Sequence, residues 1–168
     1  MEAYTLKVLP EGSVERALAK AEQYRALNEP EDAESICRDV LAVAPEHQGA
    51  LVLLGLSLTD QFPRGWSRLF AETLAVFKSL DKEYDRAYYA GIAWERCAKA
   101  QLEEGRARNA LHSFERALGC FHEAEEASGG EVPDPILRWN RCVRALQTEG
   151  ALLAEQRESH AHHPDLGD

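Results

Sequence analysis

The stretch from Ala87 to Ala127 constrains the fold of this chain more than any other part of its sequence. It contains two segments in which apolar or small residues recur at intervals of three and four, and Glu104-Gly105-Arg106 separates the two segments. The periodic residues are Trp94, Cys97, Ala98 and Gln101, then Ala107, Ala110, Leu111, Phe114, Ala117, Leu118 and Phe121. This period is typical of amphipathic helices, and a glycine after the last periodic residue often ends a helix. The stretch therefore predicts two helices joined by a short turn.

Other parts of the chain repeat this arrangement. The interval from Ala17 to Ala33 equals the interval from Trp94 to Ala110, and Pro45 closes the earlier unit. The next unit begins with Leu51, Leu54, Gly55 and Leu58. Near the end of the chain, the segment from Trp139 to Ala145 echoes the segment from Trp94 to Ala100. Four first helices in the same phase indicate an internal helical repeat.

These residues resemble the tetratricopeptide repeat (TPR), whose pattern is W-x2-L-G-x2-Y, then A-x3-F, then P. The resemblance covers roughly residues 14 to 153. It implies an all-α fold, a TPR-like α-solenoid of about three to four antiparallel helix pairs in a right-handed superhelix. We accordingly predict an N-terminal arm over residues 1–12, a helical domain over 13–157 and a disordered tail over 158–168.

In TPR proteins the first helices line a concave groove that holds peptides, and the repeat phase identifies the positions that would face it. The predicted groove residues are Leu18, Glu22, Val52, Leu56, Ile92, Glu95, Lys99, Asn140 and Arg144. The family's Lys/Asn/Arg clamp for a C-terminal carboxylate is not matched, since the corresponding positions hold Leu18, Glu22, Glu95 and Lys99. Trp66 and Tyr88 are candidate accessory contacts, although Trp66 could instead cap the core.

The third predicted helix, Glu46 to about Asp60, would be apolar nearly all round. Val52 and Leu56 lie four residues apart and share a face, opposite the stripe that packs against the next helix. Such a helix must be buried on all sides. Either a partner covers Val52 and Leu56, or the N-terminal arm or the Pro63–Trp66 loop does so.

Composition narrows the classes of partner. The formal net charge of -10 argues against nucleic-acid binding, because contacts to phosphates need clustered cations. The sequence shows neither a signal peptide nor an apolar run long enough for a membrane span, so we expect a cytoplasmic protein without membrane contact. The four cysteines lie at helix-core spacing without a C-x-x-C pair, which favours packing over metal binding or disulfides.

No catalytic motif stands out in the sequence. GxSxG, P-loop, HExxH and GxGxxG patterns are all missing, and the histidines lack partner spacing. We therefore expect no enzyme activity, no cofactor and no bound metal. The function predicted is a protein–protein interaction module, an adaptor or scaffold that holds a peptide segment of a protein partner. A secretion-type cargo chaperone and a self-assembling structural TPR protein, with a homodimer as one form, remain the alternatives.

Overall fold

A computed structural model describes residues 4–161 of the protein, with side chains as far as Leu153. This part of the chain is all-helical. Its seven α-helices are α1 (Val14–Ala26), α2 (Pro30–Val43), α3 (Gln48–Asp60), α4 (Trp66–Lys78), α5 (Glu83–Glu103), α6 (Ala107–Ala127) and α7 (Asp134–Ala161). Short 3-10 turns at Glu11–Ser13 and Phe62–Arg64 precede α1 and α4. Residues 4–161 contain no β-strand. The expectation of an all-α chain of about seven helices is thus confirmed.

Local sequence signals explain most helix boundaries. Pro30 is the first residue of α2, a position at which the backbone N–H has no acceptor within the helix, so the missing N–H of proline costs no hydrogen bond. Gly105 adopts a φ of 74° between α5 and α6, a left-handed conformation that glycine tolerates without strain. Before α3, the Nδ1 atom of His47 accepts a hydrogen bond from the backbone N–H of Ala50 at 3.2 Å. That side-chain cap starts α3 at Gln48, two residues after the predicted start at Glu46.

Each helix packs mainly on the next helix along the chain, and α3 also contacts both α1 and α5. We call the surface formed by these three first helices the odd-helix face. The core contains the small and apolar residues that the repeat phase selects, including Ala33, Cys37, Ala98, Ala110 and Phe114. Neighbouring helices thus bury the predicted periodic stripes against each other.

Two glycines allow the closest helix approaches. A Cβ atom placed on Gly55 would lie 2.2 Å from the ring of Phe77 in α4. A Cβ on Gly91 would lie 2.5 Å from the ring of Phe121 in α6. Both phenylalanines are fully buried, so neither ring has free space to move into. These contacts fix the spacing of the α3–α4 and α5–α6 pairs.

Alanine at Gly91 is expected to destabilise the protein, although alanine is the better helix former. Overpacking costs about 1–3 kcal/mol, which exceeds the gain of about 1 kcal/mol from helix propensity. Gly119 in α6 is the matched control, because a Cβ there meets no atom within 4 Å. Urea denaturation should show a lower free energy of unfolding for Gly91→Ala and an equal or higher one for Gly119→Ala. Equal effects at the two sites would contradict the close approach.

One sequence expectation needs correction. The sequence predicts that helix resumes at Arg68 after the Pro63–Trp66 loop, but α4 begins at Trp66, so the connection is shorter. Trp94 and Trp139, which the repeat phase predicts to be largely buried, are partly buried and pack against the core cluster around α6. Helix α7 continues to Ala161, into the range 158–168 that the sequence predicts as a tail. Residues 162–168 of that tail lie outside the described part of the chain.

Candidate functional site

A shallow open groove of about 530 Å³ lies on the odd-helix face. Its lining residues come from three helices: Glu22, Arg25 and Ala26 of α1, Gly49, Val52, Leu53 and Leu56 of α3, and Tyr89 of α5. We call this the α1–α3–α5 groove. Its floor is apolar at Val52 and Leu56, and one wall carries a carboxylate and a guanidinium from Glu22 and Arg25.

An ionic cluster joins the three helices beside this groove. The Nε of Arg25 donates to a carboxylate oxygen of Asp60 at 2.7 Å, and Arg96 of α5 donates to the other oxygen of Asp60. Burial lowers the pKa of Arg96, and the negative charge of Asp60 opposes that shift. One carboxylate of α3 therefore holds cations from the helices on both sides, which stiffens the odd-helix face.

Glu95, the sequence neighbour of Arg96, forms a second polar cluster. Its carboxylate is fully buried and accepts hydrogen bonds from Lys99 at 2.6 Å and from Arg138 of α7 at 3.1 Å. Burial alone would lower the pKa of Arg138, but the charge of Glu95 and the hydroxyl of Tyr88 together raise it. A buried carboxylate with two cationic partners connects α7 to α5.

The structure brings some predicted groove residues together and separates others. Glu22, Val52 and Leu56 line the α1–α3–α5 groove. Leu18, Ile92 and Glu95 are buried in the interior, so they offer almost no surface to a ligand. Lys99 is partly exposed and lines a smaller neighbouring cavity of about 220 Å³ together with Arg96. Asn140 and Arg144 are exposed on α7, outside the residues that line the groove.

The face of α3 that carries Val52 and Leu56 is partly covered by the chain itself. Both residues are half-buried and pack near Phe77, Ala93 and Tyr89. Among the described residues, neither those of the N-terminal arm nor those of the Pro63–Trp66 connection belong to this cluster. Leu9 and Trp66 pack instead against the core that contains residues of α1 and α2. Helix α5 therefore covers part of the face, and the groove is the part left open.

The two accessory candidates pack onto aromatic neighbours. Trp66 is half-buried, with its ring edge-on to Phe70 at a centroid distance of 6.0 Å. Tyr88 is stacked on Tyr84 at 5.6 Å and tilted against Phe121 at 6.0 Å. These contacts give both side chains a packing role. Sequence reasoning missed Tyr89 as a groove residue, and its only sequence signal is its place in the aromatic run before Gly91.

Three of the four cysteines are fully buried in helix contacts, as expected for core packing. Burial raises the pKa of the Cys37 and Cys142 thiols to about 12 and of the Cys97 thiol to about 11. Cys120 is partly exposed, and burial raises the pKa of its thiol to about 11. The thiolate, which is the reactive form, is therefore scarce at neutral pH at all four positions.

Alkylation should follow exposure among these thiols. With iodoacetamide at pH 8, we expect slow labelling of Cys120 alone in the folded protein, and labelling of Cys37, Cys97 and Cys142 only in denaturant. Raising the pH toward 11 should speed labelling of Cys120, because its thiol then ionises. Peptide mass spectrometry reads out each site, and Cys120→Ser is the control. Fast native labelling of Cys37 would contradict its burial.

No group of three or more His, Cys, Asp or Glu side chains among the described residues is arranged to hold a metal ion. Within residues 4–161, no helix combines the length and apolar character needed to cross a membrane. No protein-family model matches the chain, and no curated protein matches it. The α1–α3–α5 groove is the place where three of the predicted groove residues, Glu22, Val52 and Leu56, come together.

Proposed function

We propose that the chain is a TPR-like protein–protein interaction module, an adaptor or scaffold that holds an extended peptide segment of a partner in the α1–α3–α5 groove. The observation that supports it most is the groove itself, an open surface with an apolar floor and one polar wall. The helix pairs would stack in a right-handed superhelix, as the sequence resemblance implies. No nucleic acid, membrane, cofactor or catalysis enters this proposal.

The lining suits an extended peptide better than a small polar ligand. In an extended chain, successive side chains point to opposite sides, so every second side chain can enter the groove. Apolar side chains would contact Val52, Leu56 and Tyr89, while Glu22 and Arg25 would pair with polar groups at one wall. Because the ionic cluster at Asp60 already braces the three helices, binding requires little reordering of the groove.

A blocking substitution at Ala26 tests this function. Ala26 is exposed at the end of α1 and lines the groove, so glutamate there adds bulk and charge without entering the core. Ala71 on α4 is the matched control, because it is exposed and not among the groove residues. Leu56 is less suitable, since its contacts with the core make an aspartate there a test of packing as well.

The experiment selects peptides from a displayed library on the whole wild-type chain and measures their affinities by fluorescence anisotropy. Ala26→Glu should weaken the selected peptides by about tenfold or more, whereas Ala71→Glu should leave their affinities unchanged. Circular dichroism should show equal helix content in both variants. Unchanged affinity in Ala26→Glu, or a selection that yields no binding peptide, would overturn the proposed function.

Self-assembly is the second candidate, and the N-terminal arm favours it. Tyr4, Leu6 and Val8 occupy alternate positions in a segment without regular structure, and all three side chains are almost fully exposed. Exposed apolar side chains of this size commonly mark contact sites. Sedimentation velocity of the full chain, and of a chain that lacks residues 1–8, tests it. A dimer that the deletion abolishes would support self-assembly, and a monomer at every concentration would exclude it.

A further inference from the structure

Helix α7 presents a long exposed face with a distinct composition. The exposed residues between positions 136 and 152 are Ile136, Leu137, Asn140, Arg141, Arg144, Gln147, Thr148, Ala151 and Leu152. They recur at intervals of three and four, so they share one side of the helix. Large apolar residues stand at both ends, since Leu137 is 63% exposed and Leu152 is 47% exposed. We call this surface the α7 face.

The segment Trp139–Ala145 of α7 repeats the pattern of Trp94–Ala100 in α5, so positions 136 to 148 of the α7 face have equivalents 45 residues earlier in α5. Cys97 and Cys142 occupy equivalent positions and both are fully buried, Cys97 in the core with residues of α3 and α4 and Cys142 in the core with residues of α6. Ile92 and Leu137 are also equivalent, yet Ile92 is 3% exposed and Leu137 is 63% exposed. The equivalent of the exposed Asn140 is Glu95, whose carboxylate is covered by Arg138 of α7. The face that is covered in α5 with the help of a following helix is therefore open in α7.

Charge identifies the kind of helix that fits this face. The only charged residues among its exposed positions are Arg141 and Arg144, although the whole chain carries a net charge of -10. An antiparallel α7 from a second copy would bring these arginines close to their counterparts. The exposed side of α1 at the other end of the chain also carries cations, Arg16 and Lys20. Repulsion between like charges thus disfavours the packing of α7 on α7 of a second copy, and also the packing of α7 on the outer side of α1 of a second copy.

We propose that the α7 face binds a helix of a different protein, and that this helix carries acidic side chains between apolar ones. The apolar residues of the partner would cover Leu137 and Leu152, and its carboxylates would pair with Arg141 and Arg144. From residue 136 to residue 152 the face is about 25 Å long, enough for a partner helix of between four and five turns. This surface is separate from the α1–α3–α5 groove, so the chain would hold two partner segments at once.

Two synthetic helical peptides test the proposal. They share one apolar stripe and differ only in the flanking residues, which are glutamate in one peptide and lysine in the other. Fluorescence anisotropy with the whole chain should show binding of the glutamate peptide, about tenfold or more weaker binding of the lysine peptide, and weakening of the glutamate complex by added salt.

Variants locate the binding site on the chain. Arg144→Glu and Leu137→Asp should each weaken the glutamate peptide by about tenfold. Both side chains are exposed, so the folded state should persist. Arg68→Glu on the exposed side of α4 is the matched charge reversal and should leave the affinity for the glutamate peptide unchanged. Ala26→Glu in the groove should also leave that affinity unchanged.

The outcomes separate this proposal from the groove function. Loss of groove peptides in Ala26→Glu with no binding of the glutamate peptide would overturn the α7 proposal alone. Equal binding of the two helical peptides, or binding unaffected by Arg144→Glu and Leu137→Asp, would also overturn it. Sedimentation of the chain without peptide gives the last check, because a dimer that Leu137→Asp dissociates would mean that a second copy covers the face.

Discussion

Replacing Phe121 with alanine is expected to lower the free energy of unfolding by about 3–5 kcal/mol. The ring is fully buried between α5 and α6, and it lies where a Cβ on Gly91 would come within 2.5 Å. It also packs against the ring of Tyr88. The loss combines the removed apolar contacts with the cavity that the ring leaves behind. In a chain of this length the melting temperature should fall by roughly 2–4 °C for each kcal/mol.

His122 provides the control for this substitution. It neighbours Phe121 in sequence and is exposed, and its Nε2 atom lies 3.6 Å from a carboxylate oxygen of the exposed Glu126. His122→Ala should therefore change the free energy of unfolding by less than about 0.5 kcal/mol. If Phe121→Ala and His122→Ala melt at the same temperature, the α5–α6 interface is not packed as described.

Replacing Glu95 with alanine is expected to cost about 2–3 kcal/mol of stability. Breaking a fully buried ion pair typically costs about 3–5 kcal/mol, because the remaining charge loses its partner in the interior. Here Lys99 and Arg138 are partly exposed, so water can solvate them in part and reduce the loss. Glu95→Gln should cost less than Glu95→Ala, since an amide oxygen can still accept one hydrogen bond.

Glu72 is the matched control for Glu95. Its carboxylate pairs with Arg38 at 2.8 Å, but both side chains are well exposed. Exposed pairs of this kind contribute about 0–1 kcal/mol, so Glu72→Ala should barely change the urea midpoint. Equal midpoints for Glu95→Ala and Glu72→Ala would show that the buried cluster does not connect α5 to α7.

The helices and much of the core could be predicted because local signals determine them. Pro30 and Gly105 mark helix ends through their own backbone preferences, and Cys97, Ala110 and Phe114 recur with the helical period. Proline and glycine indicate a loop as far as Arg68, whereas a single glycine turn at Gly65 suffices and α4 begins at Trp66. Such a turn depends on the φ of one residue, which composition does not specify.

The candidate site was only partly predictable. Repeat phase gives the direction in which a side chain leaves its helix, and this was enough to place Glu22, Val52 and Leu56 beside one groove. It does not give the depth of burial. Glu95 is polar, so nothing in its own neighbourhood signals burial; the effect comes from Arg138, which lies 43 positions further along the chain. Contacts between distant segments therefore decide which groove positions stay open.

The central claim is that the α1–α3–α5 groove holds a peptide segment of a partner, and amide chemical shifts test it most directly. The isotope-labelled chain would be titrated with the tightest peptide from the display selection. The largest shift changes should fall at Ala26, Gly49 and Val52, which come from two different helices of the groove. Changes confined to α7 or to the exposed sides of α2, α4 and α6 would contradict the claim.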